Sequence, residues 1–352
     1  MSARILHVLP HRGGGAETYI DMLEALPDFE HHRFYLSSGR TPGSAAASLP
    51  LRWPRIAVQV RSADIVHTHG DAATVIALPL LRVRPTAITT HGLSLLRRLI
   101  GVRGALLARA FAQSASAAEI LICTSTAEHA ELEHIVRERD RSKLRVIPNG
   151  IDPQEPVTEH DRAALRSALG IDDDTVLGVF VGELEPNKAP LLAASAAVAA
   201  RAAGTRLVVA FAGTGSQAAQ LATFPADAVR ALGYRSDVPL LLGAADIFLH
   251  PSEREGMSFA LLEAMGHSLP VIAADSPGAA EVVGDAGLLF ASGDELTLAN
   301  ALARLSASAT LRASLGRAAR DRAVKRFSLD AFLSATAEVY NEAARRPTQF
   351  DP

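Results

Sequence analysis

Cysteine occurs once in these 352 residues, at Cys123, so no disulfide forms within the chain. Its place in the apolar run ILICTS reads as a core position in a cytoplasmic protein, ahead of a catalytic thiol. Lysine is almost as scarce: Lys143, Lys188 and Lys325 are the only three among 35 Lys and Arg, which makes the setting of each informative. No apolar stretch is long enough to span a bilayer, because Arg201 and Arg206 interrupt even the alanine-rich region around them. The apolar run at residues 5–10 is too brief for a signal-peptide core. No G-x-G-x-x-G fingerprint is present, which argues against a dinucleotide-dependent dehydrogenase. A net charge of only -3 argues against a dedicated nucleic-acid binder.

What is present is ample apolar material, 48% of the residues, enough for two cores at this length. Charge is unevenly spread, with 18 Lys and Arg against 14 Asp and Glu in residues 1–152 and 17 against 24 in the remainder. The N-terminal half is therefore mildly basic. Short apolar runs, each followed by a Gly-rich or polar turn and an Ala/Leu-rich segment, recur along the chain. That alternation predicts an α/β fold of parallel sheets with crossover helices. Strands are expected at 4–9, 33–36, 64–68, 87–90, 120–123 and 144–147, then again at 176–181, 206–211, 246–249 and 270–273. Between the series lies IPNGIDPQEPVTEH, a linker in which Asn149-Gly150 tolerates positive φ and suits a hinge. Domains are expected at 1–152 and 153–328, with a final helix over 329–346 that could pack on either.

The stretch PSEREGMSFALLEAM, residues 251–265, sets Glu255 in a loop and Glu263 in the helix that follows. Eight helical residues separate two side chains by about 80° around the axis and about 12 Å along it. Glycosidase carboxylates flank one bond at roughly 5–10 Å, so this spacing suits two contacts on one elongated ligand better than a hydrolytic pair. The amides of Gly256, Met257 and Ser258, expected to be exposed at the helix start, suit an anion between those stations. The alternative is a carboxylate favoured by the helix dipole and a second one merely solvated.

In open α/β sheets ligands gather at the carboxyl ends of the strands. There the chain offers Gly13, Gly14 and Gly15 before a helix bearing Glu17; Lys188 before a helix opened by Pro190; and Gly213 with Gly215. Tight turns and a bystander loop lysine are the structural alternatives. His67 and His69 alternate on one face, where they read as a packed pair more readily than as metal ligands, since no Cys or carboxylate completes a set. His91, followed by Gly92 at a strand end, is the better candidate for hydrogen bonding or proton transfer. Asp172, Asp173 and Asp174 precede a strand and read as a solvated turn. Arg97, Arg98, Arg103 and Arg109 among leucines suit a half-buried surface helix, or one lying on an anionic membrane.

In order, GGGAE, THG, VIPNGID, VGELEPNK, ALGYRSDVPLLLGAADIFLHPS and EREGMSFALLEAMGHSLPVIAAD resemble the retaining, nucleotide-sugar-dependent glycosyltransferases of the fourth sequence family over nearly the whole chain. The E-x7-E block is the specific one. The resemblance implies the GT-B fold, two Rossmann-like domains with parallel sheets facing across a cleft, the first on the acceptor side and the second holding the donor. It also implies that the final helix returns to the first domain. It implies that Glu263 holds the donor ribose, Glu255 faces the transferred sugar, and Gly256, Met257 and Ser258 lie near the diphosphate and sugar. It further implies that Lys188, beside Gly182 and Gly213, neutralises the departing diphosphate in place of a metal ion. By the same resemblance His91 approaches the donor sugar, Gly13, Gly14 and Gly15 line the phosphate and acceptor side, and Gly233, Tyr234 and Arg235 border the base. No metal and no cofactor are expected beyond the nucleoside diphosphate sugar. The expected acceptor is a hydroxyl of a glycan, a lipid-linked or a small molecule, in envelope or exopolysaccharide synthesis. The expected location is cytoplasmic, including the inner membrane face, with peripheral contact through the first domain. Glu183 departs from the family's frequent arginine; a scaffold that has lost transfer and a nucleotide-sugar epimerase are the rival readings.

Overall fold

The computed structural model describes residues 2–37, 43–152 and 155–345. They form two units, one of the chain up to Gly150 together with the segment from Leu329, the other Ile151–Ser328. Pro153 and Gln154, within the expected linker, lie outside the described residues.

The first unit is built on a parallel sheet of β1 (Ala3–Leu9), β2 (Phe29–Tyr35), β3 (Ile65–His69), β4 (Thr86–Thr89), β5 (Ile120–Cys123) and β6 (Leu144–Val146), in the order β2-β1-β3-β4-β5-β6. The second has β7 (Val176–Val181), β8 (Leu207–Ala212), β9 (Val229–Gly233), β10 (Ile247–His250), β11 (Val271–Ala274) and β12 (Leu288–Phe290), in the order β12-β11-β10-β7-β8-β9. Each of β3, β5, β10 and β11 is buried along its full length, as expected when crossover helices cover both faces. Alternation then sorts each strand between two cores. In β7, Leu177 and Val179 join one apolar cluster while Val176 and Phe180 join another.

In the first sheet one such face is apolar, with Leu6, Val8 and Val66, while the other carries His7 and His67 beside each other in register. The final helix, Leu329–Ala344, packs on β3 and β4 and sets Phe332 and Tyr340 among these polar rings.

Three strand differences have physical causes. β2 starts at Phe29, four residues before the expected strand, because its pairing with β1 continues through Glu30, His31 and His32, which form no apolar run. β9 and β12 were not expected: Arg230 and Gly233 interrupt the first, and the second has only three residues, yet backbone pairing to β8 and β11 suffices at sheet edges. Asp172, Asp173 and Asp174 are exposed ahead of β7, and Cys123 is buried in β5.

Candidate active site

The strand order reverses at β1/β3 in one unit and at β7/β10 in the other. Loops diverge at such a point and leave a crevice at the carboxyl ends of the strands.

In the second unit the loops after β7 and β10 meet. Lys188 closes a short 3-10 turn, Pro186–Lys188, ahead of the helix Pro190–Ala202, with Ala189 between them at φ 50°. Its ammonium forms an ion pair with Glu255 Oε1, and Ser252 Oγ donates to the same oxygen at 2.9 Å. Only 24% of the lysine side chain and 15% of the glutamate remain exposed, so the pair is strongly coupled. Burial pushes the Glu255 carboxyl up, but Lys188, His250 and Ser252 outweigh it and hold the group below its ordinary range. His250, buried at the end of β10, is pushed down to about 4 by burial, against the pull of Glu255. The Glu253 amide donates to Asn187 O at 3.2 Å, tying the two loops together.

The helix Phe259–Gly266 follows, with Ser258 at its N-cap position but no side-chain cap. Gly256 and Met257 are buried, which corrects the expectation of exposed residues there; the neighbouring backbone packs over them. The amides of Gly256 and Ser258 have no hydrogen-bond acceptor among the described residues, so the capacity to bind an anion remains. Gly278 sets this loop: a Cβ there would lie 1.5 Å from Gly256 O. Glu263, one turn further on, is only partly exposed, and burial raises its carboxyl to about 7. Glu183 is exposed and has no ion pair among the described residues, so it does not compete for Lys188.

Gly213 and Gly215 are glycines by close approach. A Cβ on Gly213 would lie 1.8 Å from Gly182 O, and one on Gly215 2.5 Å from Leu184 O. Gly233, at φ 68°, ends β9 and accepts from the Gly213 amide at 2.8 Å. Beyond it Tyr234 is 69% exposed, and Arg235 Nε donates to Asp237 Oδ1 at 2.8 Å.

In the first unit Gly13 and Gly14 take φ 85° and 83°, which accounts for glycine at both, and the helix Gly15–Leu23 begins immediately after. Glu17 reaches back to accept from the Gly13 amide at 2.6 Å and from Tyr35 Oη at 2.5 Å. The Gly13 amide is thus engaged, while Gly14 and Gly15 are exposed. His91 follows β4 in a left-handed conformation, φ 51°, and Gly92 and Leu93 continue at 97° and 52°. Two buried carboxylates hold this turn: Glu128 accepts from the Gly92 amide at 2.6 Å, and Asp71 accepts from Leu95 and Leu96, both at 2.7 Å. The Tyr19 ring meets His91 edge-on with centroids 5.0 Å apart. Burial lowers His91 to about 4, so it is neutral at pH 7. His67 and His69 do pack against each other, tilted by 34° with centroids 4.2 Å apart, and with His7 they bring three imidazole nitrogens within 4.8 Å of one another. Those nitrogens already have partners: His67 faces Tyr340 Oη at 2.8 Å and Thr89 Oγ1 at 2.7 Å, and the other two rings are hydrogen bonded on both nitrogens.

Sequence reasoning singled out Lys188, Glu255, Glu263 and His91 but gave no role to Ser252, His250, Gly278, Glu128 or Asp71. Their partners are distant in sequence or are backbone atoms, and a strand-end histidine such as His250 was the one available signal.

Two Rossmann-like parallel sheets, each with its polar residues at the point of strand reversal, define an α/β protein of the GT-B class. The fold is that of Anabaena HepE, solved in complex with UDP-glucose, at TM-score 0.82 and 21% identity over 96% of this chain and 99% of that one. Residues 12–155 match the family described as Glycosyltransferase Family 4, and residues 175–308 match Glycosyl transferases group 1. The chain belongs to this glycosyltransferase family. It is 36% identical over 234 residues to a D-inositol 3-phosphate glycosyltransferase of Saccharomonospora viridis, covering 60% of this chain and 54% of that protein. It is also 30% identical over 262 residues to a UDP-Gal:alpha-D-GlcNAc-diphosphoundecaprenol alpha-1,3-galactosyltransferase of Escherichia coli, covering 69% and 66%. The chain spans about half the length of the first of these curated relatives.

Proposed function

We propose that the protein transfers a sugar from a nucleoside diphosphate sugar to an acceptor hydroxyl, with retention of anomeric configuration and with Lys188 supplying the counter-charge that a metal ion supplies elsewhere. The observation that carries this reading is the partly buried Lys188–Glu255 pair at the β7/β10 reversal, beside two amides without acceptors. A diphosphate arriving there gains the lysine charge and the Gly256 and Ser258 amides, and neutralising the departing phosphates lowers the barrier to transfer. Glu255, once it shares its lysine with phosphate, is placed to meet sugar hydroxyls. Glu263 holds the ribose hydroxyls, and Gly182, Gly213 and the Gly233–Arg235 segment shape the nucleotide end.

On this reading His91, with Gly13, Gly14 and Gly15, serves the sugar and acceptor. A neutral imidazole accepts a hydroxyl hydrogen bond without adding charge, and the departing phosphate takes the acceptor proton. The left-handed His91 and Leu93 support a functional turn, since such backbone costs a non-glycine residue about 1–3 kcal/mol and persists only when surrounding bonds impose it. The relatives' names support a glycan, lipid-linked or small polyol acceptor.

We also assign the first unit a peripheral contact with an anionic lipid surface at the cytoplasmic face. Ile100, Val102 and Leu106 are 86%, 78% and 63% exposed, next to exposed Arg98 and Arg103. No helix among the described residues is long and apolar enough to cross a membrane. Sedimentation with phosphatidylglycerol vesicles, reduced in Val102→Asp, supports the contact; equal sedimentation of the variant removes it.

Thermal-shift titration with a panel of nucleoside diphosphate sugars, followed by assay of nucleotide release with and without acceptor, tests the central reading. A donor that raises Tm and is consumed only with acceptor supports transfer. A scaffold neither binds nor consumes any of them, and an epimerase consumes one without acceptor; either result overturns the proposal.

A further inference from the structure

Four histidines of the first unit join end to end through their ring nitrogens. His31 Nδ1 lies 2.8 Å from His7 Nε2, His7 Nδ1 lies 2.8 Å from His69 Nε2, and His69 Nδ1 lies 2.9 Å from His91 Nε2. Successive ring centroids are 5.1, 5.1 and 5.2 Å apart. The four come from β2, β1, β3 and the turn after β4, so the series runs across the sheet instead of along the chain. His7 and His69 are fully buried, while His31 and His91, at the two ends, are partly exposed.

A neutral imidazole has one N–H and one lone pair, and each link needs one of each. Once His7 donates from Nε2 to His31, its Nδ1 has to accept from His69. His69 then accepts on Nδ1 from His91, which leaves a bare lone pair on His91 Nδ1. Reversing any one link reverses all three and turns His91 Nδ1 into a donor. Only these two arrangements satisfy the whole row.

We propose that these histidines form one proton-ordered array in which His31 sets, through His7 and His69, whether His91 offers ligand a lone pair or an N–H. His31, His7 and His69 are positioning residues, and the ligand class is a sugar or acceptor hydroxyl at His91. Burial depresses all four rings, which keeps them neutral at pH 7 and the tautomers well defined. Around the array stand Arg33, His32, Glu24 and Tyr340 beside His31, His67 against His7 and His69, and Tyr19 against His69 and His91. Either arrangement leaves His31 Nε2, which is buried without a partner, outside the row of links.

The proposal rests on the placement of His91 at the ligand, but its test needs no ligand. Long-range proton–nitrogen NMR of histidine-labelled full-length protein at pH 7 reads the tautomer of every ring. The expected result is one tautomer, Nε2–H or Nδ1–H, shared by His31, His7, His69 and His91. His31→Ala, which leaves His91 and its neighbours intact, is expected to shift the tautomer of His91, while His67 keeps its signals as a control for folding. Mixed tautomers among the four in the native protein, which need no variant to observe, overturn the array. So does a His91 signal unmoved by His31→Ala, or a stoichiometric zinc titration that captures His7, His67 and His69 together. Loss of donor binding with the array intact would instead count against the catalytic reading alone.

Discussion

The two sheets reverse strand order in the same manner, yet furnish the reversal with opposite chemistry. At β7/β10 the loops bring together a formal cation and anion, Lys188 and Glu255, with a second carboxyl, Glu263, held near neutrality by burial. At β1/β3 the groups are imidazoles that burial keeps uncharged, set by hydrogen bonds from ring to ring. On the proposed reading, the fold sets where a ligand is met and the loops set the charge it meets. The charged end suits phosphates, and the neutral end suits hydroxyls.

The contrast is most easily broken at the charged end. Lys188→Ala is expected to lower turnover about 10³-fold, the range for removing a key electrostatic donor, in an assay of nucleoside diphosphate release. A turnover within a few-fold of the parent would take Lys188 out of the chemistry. Packing under the same loop comes next. Gly278→Ala drives a Cβ into Gly256 O and should cost about 3 kcal/mol of second-unit stability, read as a lower urea midpoint at unchanged m.

The neutral end is tested by His91→Ala, expected to lower kcat about 10²-fold with the affinity for free nucleoside diphosphate retained. Equal loss of nucleotide affinity would mean that the imidazole is not confined to the sugar side. The smallest expected effect lies in the pH response of Glu263. Its folded carboxyl sits near 7 against an ordinary 4.5, so the native state binds the proton more tightly than the unfolded chain. That stabilisation is complete below about pH 4.5 and is lost as pH rises through 7. Glu263→Gln should then match the parent at pH 4 and exceed it by about 2 kcal/mol at pH 8, after allowance for partial exposure. Parallel stability curves for the two proteins would show that burial does not act on this carboxyl.

Much of this was readable in the chain. Apolar runs marked ten strands within a few residues, because burial on both sheet faces leaves a continuous apolar signal. Edge strands lack that signal, hence the missing β9 and β12 and the late start for β2. Lys188, Glu255, Glu263 and His91 stood out by scarcity, spacing or position after a strand. Their partners did not: the Lys188–Glu255 contact spans 67 residues, and Gly278 acts through a backbone oxygen 22 residues earlier. His7 and His31 carry no such mark, because His7 is a lone histidine in β1 and His31 sits beside His32 in an edge strand with no apolar run. Only parallel register, which sets His7 beside His67 and His31 beside Ile5, turns them into a series.

The solitary thiol has a practical consequence. Cys123 lies in β5 with no exposed surface, and burial, together with nearby Glu128 and Glu133, pushes it well above the ordinary thiol range. An alkylating reagent thus finds no target until the first sheet opens, and then finds a single one. The chain carries its own label for timing the breathing of that sheet independently of its neighbour, with no engineered probe.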